Sequence, residues 1–280
     1  MAEPGLQKLG LGTVQFGLPY GVSNRRGQVP RADAAAILAL AAKGGIRTLD
    51  TAANYGSAEQ VLAGLDTGAF RIVTKTIGVK AGVDAVVARA RESARLLKAD
   101  TLLVHAAGDL EDPALWPALQ ALKAEGVFRR IGISTYVADD PAMLAARLHP
   151  DVVQLPFSLL DQRLLTDGTV ARLADMGVEV HARSIFLQGL LFLRDLPPKL
   201  QHIAPRLSAI RKAIGDAGGT PLAAALGFAL SRREIGTALV GVTTADELKE
   251  ILTAAAHPLP ALDWPSYALQ DDIVLTPSRW

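Results

Sequence analysis

Short apolar runs recur along the chain, and several of them end on a polar residue. Arg47 to Asp50 ends on Asp50, Arg71 to Thr74 is followed by Lys75, and Thr101 to His105 ends on His105. Runs of this length, rich in Leu, Ile and Val and bounded by polar residues, predict buried strands. Leu9 to Gly12, Arg130 to Ser134, Asp151 to Leu155, Val178 to Arg183 and Thr237 to Gly241 predict five more. Between the runs, apolar positions repeat at helical spacing. Helices are predicted from Pro30 to Lys43, Ser57 to Leu65, Val83 to Leu97, Leu115 to Glu125, Pro141 to Leu148 and Gly168 to Met176. Three more are predicted within Ala204 to Ala217, within Pro221 to Leu230, and from Ala245 to Ala255. Gly44-Gly45, Gly126 and Gly177 stop three of them. Gly17 to Gly21 and Ser23 to Gly27 read as polar, turn-rich loop. Arg89, Arg91, Glu92, Arg95 and Lys98 read as one solvated face of the helix from Val83.

Eight strands alternating with helices over 280 residues predict an α/β fold, a (β/α)8 TIM barrel forming a single domain over residues 1–280. Alternation alone also allows an open, doubly wound sheet. Two features favour the barrel. No Gly-x-Gly-x-x-Gly closes the first strand, as a dinucleotide-binding turn would require. Polar strand ends also recur around the whole chain, whereas an open sheet would concentrate them at one switch point.

Composition narrows the function classes. Half the residues are hydrophobic and 20% are charged, enough for one large core. A net charge of +1, without a basic cluster interleaved with aromatics, argues against nucleic acid or an anionic membrane as partner. Cysteine is absent, which excludes disulfides, thiolate chemistry and Cys-based zinc sites. The first residues lack the basic and apolar regions of a signal peptide, and no apolar stretch has the length of a membrane span. A cytoplasmic protein, monomeric or a small homo-oligomer, is expected.

In a barrel, strand ends on one face carry the chemistry. Asp50, Tyr55, Lys75 and His105 bring a carboxylate, a phenol, an ammonium and an imidazole to that face. Such a set can move a proton to or from a carbonyl oxygen. A free phenol, with a pKa of about 10, is a weak acid at neutral pH. The Lys75 ammonium is expected to pull it down, with Asp50 holding Lys75 and His105 polarising the carbonyl. The Asp-x4-Tyr spacing, the Thr-Lys pair and the Leu-Leu-Val-His strand resemble the aldo/keto reductases, in that family's order. The resemblance runs from about Leu9 to Leu252 and includes Gly10 to Gly17, Ile131 to Ser134, Val153-Gln154 and Gln188 to Leu191.

The resemblance implies an oxidoreductase interconverting a small-molecule carbonyl and alcohol, with NADP(H) or NAD(H) supplying the hydride that no side chain can supply. It places Gly12 and Thr13 among the cofactor contacts, with Ser134, Thr135 and Gln154 at the nicotinamide carboxamide. Thr135 stands where the family usually has Asn. Arg183 stands where an aromatic ring stacks on the nicotinamide, and a planar guanidinium can stack there too. Ser184, Phe186 and Gln188 fall in the segment that covers the pyrophosphate. Gly241, Thr243, Thr244 and Glu247 fall at the adenosine end. Neither Thr244 nor Glu247 is cationic, and an acidic side chain favours a ribose diol over a phosphate, so dual use or a lean toward NADH is expected. Phe16, Tyr20 and Phe157 are expected pocket walls, Ala106 widens the pocket where many members carry Trp, and the C-terminal segment is implied to help wall it. Two other readings stay open: a Schiff-base lyase using Lys75, and a non-enzymatic binding or regulatory subunit of the same fold.

Overall fold

Parallel strands of a barrel are covered on both faces, so they read as continuous apolar runs. β4 (Thr101–Val104), whose four residues are all buried, is the plainest case. It belongs to a closed parallel barrel, formed in chain order with β1 (Leu9–Gly12), β2 (Thr48–Asp50), β3 (Arg71–Lys75), β5 (Arg130–Ser134), β6 (Val152–Pro156), β7 (Glu179–Arg183) and β8 (Ile235–Gly241). A computed structural model describes residues 6–22, 24–256 and 262–280, and the expectations placed on residues 1–5, Ser23 and His257 fall outside these.

The helices are α1 (Val14–Gly17), α2 (Arg31–Lys43), α3 (Ala58–Ala63), α4 (Val83–Leu97), α5 (Leu115–Ala124), α6 (Pro141–Leu148), α7 (Arg163–Thr166), α8 (Thr169–Asp175), α9 (Ala204–Asp216), α10 (Pro221–Leu230) and α11 (Ala245–Ala255). α4, α6, α10 and α11 have the bounds read from the sequence. α10 and α11 start sharply because Thr220 and Thr244 cap them, each hydroxyl accepting from the backbone N–H three residues on. α1 and α7 are four residues each, too short to leave a periodic signature. None of the described helices is by itself long and apolar enough to cross a membrane.

The main core lies between barrel and helices, while Val73, Leu103 and Val152 form a separate buried cluster. One expectation on α4 is corrected. Arg89 does not join the solvated face but pairs with Glu59 of α3, whose carboxylate is 1% exposed. Glu59 also accepts from Thr74 of β3 at 2.6 Å and from Ser93 at 3.1 Å. A buried charge persists only when paired and hydrogen-bonded, and this network ties α3 and α4 to β3.

At the opposite end of the barrel, Arg71, Arg130 and Glu179 begin the odd strands β3, β5 and β7. Glu179 bonds Arg130 and His181 and lies 3.7 Å from Arg71. The C-terminal segment 262–280 packs on the β6–α7 connection. Leu269 N donates to Leu160 O at 2.9 Å, and Gln162 Nε2 donates to Trp264 O at 2.6 Å. None of the described tail residues 262–280 lines the large cavity.

Candidate active site

β2 and β3 end side by side and deliver Asp50 and Lys75 to one point. Lys75 Nζ donates to Asp50 Oδ1 at 2.5 Å and to Thr51 O at 2.9 Å, with Lys75 only 1% exposed. Burial alone would lower the Lys75 pKa, but Asp50 and then Tyr55 outweigh it and the net shift is upward. Lys75 is therefore a held cation. Tyr55 sits on the β2–α3 connection, and Nζ lies 4.9 Å from the centre of its ring. Gly17 and Gly56 make that position possible. A Cβ on Gly17 would lie 1.8 Å from Tyr55 O, and one on Gly56 2.4 Å from Gly17 O, so α1 and the Tyr55 turn meet backbone to backbone.

His105 follows β4 directly. Its ring meets Tyr55 edge to face at 5.7 Å, and its backbone N–H donates to Thr76 Oγ1. Burial, and next the Lys75 charge, push its pKa from 6.5 down to about 4. The ring is neutral at pH 7 and carries one N–H donor. The phenol departs from the sequence expectation. Lys75 does pull it down, but burial pushes harder and the net shift is upward. Tyr55 thus stays protonated through neutral pH and has a proton to give.

These groups open into a cavity of about 910 Å³. Gly12, Thr13, Asp50, Tyr55, His105, Ser134, Gln154, Arg183, Ser184, Phe186, Gln188, Gly241, Thr243 and Glu247 all line it. Lys75 does not; it lies behind Tyr55 and Asp50. Two residues that the resemblance placed at the cofactor stand outside this lining. Thr135 is fully buried, its hydroxyl committed to Gln154 O at 3.2 Å, and it does not line the cavity. Thr244 is the α11 cap and does not line it either. Gln154 turns its amide nitrogen to Asp50 Oδ2 at 2.7 Å. Of the expected walls, Tyr20 lines the cavity, whereas Phe16 and Phe157 are core, Phe157 stacking on Phe228 at 5.2 Å.

Arg183 lies 4.4 Å over the Tyr136 ring and donates to Thr135 O at 3.0 Å. Tyr136 was missed from sequence, because it lies just after β5 while Arg183 ends β7, and one strand separates the two. Gln15 was missed too. Its Oε1 is buried without a partner among the described residues, and a Cβ on Gly241 would lie 2.8 Å from its Nε2. Roof contacts cross the mouth: Gln188 Nε2 donates to Tyr20 Oη at 2.8 Å, and Val22 N donates to Gln188 Oε1 at 3.3 Å. The orphaned Gln15 oxygen, the glycine cradle and the volume of the cavity fit a dinucleotide. Among the described residues no cluster of His, Asp and Glu could hold a metal.

A family model described as the aldo/keto reductase family matches residues 8–268. The chain belongs to the aldo/keto reductase family. It is 29% identical over 259 residues to L-galactose dehydrogenase of Arabidopsis thaliana, covering 82% of this chain and 80% of that protein. It is 28% identical over 205 residues to D-threo-aldose 1-dehydrogenase of a Pseudomonas species, covering 67% of this chain and 61% of that protein. The holo form of an aldo-keto reductase from Bacillus halodurans superposes with a TM-score of 0.74 at 22% identity, covering 93% of this chain and 89% of that one. This aldo/keto reductase is thus an enzyme, an oxidoreductase that interconverts a carbonyl and an alcohol.

Proposed function

We propose that this aldo/keto reductase reduces the carbonyl of a sugar or small aldehyde, or runs the reverse oxidation, with Tyr55 as the proton donor. The observation that carries the reading is the convergence of Tyr55, the held Lys75–Asp50 pair and a neutral His105 at the floor of one cavity. A nicotinamide dinucleotide held in this cavity would supply the hydride chemistry that no side chain provides. Gly12, Ser134, Gln154 and Arg183 line the cavity where its nicotinamide half would lie, and Gly241, Thr243 and Glu247 where its adenosine half would lie. Tyr55 gives its proton to the carbonyl oxygen, and the Lys75 charge stabilises the phenolate left behind. His105, kept neutral, donates its single N–H to the same oxygen. The alternative use of Lys75 as a Schiff-base nucleophile is disfavoured by the Asp50 carboxylate at 2.5 Å, since an ammonium is not a nucleophile.

The adenosine end supports use of NADH. The Glu247 carboxylate accepts from Thr243 N at 2.6 Å and from Thr243 Oγ1 at 3.1 Å. It already occupies the donors that a ribose phosphate would use, and adds a like charge beside them. The direct test follows the near-ultraviolet absorbance of each reduced cofactor against a panel of aldoses and aldehydes. NADH consumption with at least one carbonyl is expected. Consumption of neither NADH nor NADPH across the panel would remove the reading.

A further inference from the structure

We propose that Gln154 is a positioning residue for the proton donor, a single amide that links the cofactor cleft to the Asp50–Lys75–Tyr55 chain. The inference rests on the reading of Tyr55 as that donor. β2 and β6 stand opposite each other in the eight-strand ring, so the Gln154 side chain spans the barrel to reach Asp50. Its Nε2 meets Asp50 Oδ2 at 2.7 Å while Lys75 holds Oδ1 at 2.5 Å. Asp50, Lys75 and Gln154 are 4%, 1% and 1% exposed. The backbone of Gln154 is equally fixed, its carbonyl accepting from Thr135 N at 2.8 Å and Thr135 Oγ1 at 3.2 Å.

A carboxylate paired with an ammonium only accepts, so the amide has one allowed orientation, nitrogen toward Asp50. No described residue donates to Gln154 Oε1. A ligand in the cleft therefore meets an acceptor, which suits the N–H groups of a primary carboxamide. Hydrogen bonds in series polarise one another at low dielectric, so a donor on Oε1 strengthens the bond to Asp50. The two charges behind Tyr55 act in opposite senses: Lys75 lowers its pKa and Asp50 raises it. By compensating the Asp50 charge, Gln154 favours release of the Tyr55 proton.

Two measurements on the cofactor-free protein test this. In ultraviolet difference titrations, with Tyr55→Phe assigning the signal, the Tyr55 phenol of Gln154→Leu should ionise at higher pH than in wild type. In Ser134→Ala, which changes the cleft without touching Asp50, it should not move. With cofactor saturating, kcat of Gln154→Leu should fall about tenfold, a fraction of the loss expected on removing the acid itself. Unmoved ionisation in folded Gln154→Leu overturns the proposal. Where that variant does not fold, NMR of unmutated protein isotope-labelled at glutamine side-chain nitrogens decides. One Gln154 amide proton should be protected from solvent exchange, and free exchange of both overturns the proposal. Neither cofactor-free readout needs turnover, so failure of the reductase reading shows in the absorbance assay and failure of the Gln154 link shows in the titration and the exchange.

Discussion

Tyr55→Phe removes one oxygen and leaves the ring beside His105 and Lys75. If that oxygen carries the transferred proton, kcat falls by about two orders of magnitude or more while cofactor affinity, read by fluorescence titration, stays near wild type. Unchanged turnover with chemistry rate-limiting would reassign the acid. Lys75→Met probes the charge felt by two neighbours. Lys75 lowers both the Tyr55 phenol and the His105 imidazole. The alkaline limb of the rate profile should therefore move to higher pH, and His105, followed by NMR, should titrate above its wild-type value of about 4. A His105 titration that stays put would mean that burial, with Arg183, holds the ring neutral without Lys75. The resemblance named these residues; the direction of the Tyr55 shift was not legible, because burial is a sum over everything packed around the phenol.

At the scale of elements, the contact of α1 with the Tyr55 turn has no tolerance for a side chain. Gly17→Ala would place a carbon 1.8 Å from Tyr55 O, so the turn must move. An expected kcat loss of about tenfold, with cofactor affinity retained, would show that the displacement reaches the phenol, since a misplacement of about 1 Å can cost more than that. Full kcat in a folded variant would contradict it. At the start of α11, Glu247→Arg exchanges the carboxylate on Thr243 for a cation. NADPH binding should strengthen more than NADH binding, by about one to two powers of ten, as a charge-assisted bond replaces a like-charge contact. Fluorescence titration of both proteins with both cofactors checks this, and a wild type that binds NADPH a hundredfold tighter than NADH would refute the cofactor assignment. Elements with full helical periods, such as α4 and α11, were legible from sequence, whereas α1 was hidden because four residues span barely one turn.

For the whole molecule, the polar cluster under the barrel ties stability to pH. The hydrogen bond from His181 leads the groups that bring the Glu179 pKa from 4.5 down to about 2, with Arg130 and Arg71 adding to it. A carboxylate with a depressed folded pKa stabilises fully above the unfolded value. Its contribution is complete above pH 4.5 and is lost as the pH falls toward about 2. Glu179→Gln should lower stability at neutral pH and flatten the stability–pH curve across that window, measured by urea unfolding at a series of pH values. An unchanged slope would place the acid sensitivity elsewhere. His105 adds to the same trend from the other side. Its lowered pKa means the unfolded chain takes up a proton between pH 6.5 and about 4 that the fold does not, so stability again declines as the pH falls.

By itself the sequence determined the repeating alternation, the barrel class and the polar strand ends that place Asp50, Lys75 and His105 on one face. Those are local properties: hydrophobic period, turn residues and the last residue of each run. Only the tertiary structure decided which groups meet across the barrel. Gln154 and Asp50 are 104 residues apart and become partners because β2 and β6 face each other once the ring closes. Arg183 finds Tyr136, and Glu247 turns its carboxylate back onto Thr243 rather than outward. Closure brings together donors and acceptors that no periodicity relates, and in the low-dielectric interior each must find a partner or cost stability, so the final pairing belongs to the fold as a whole.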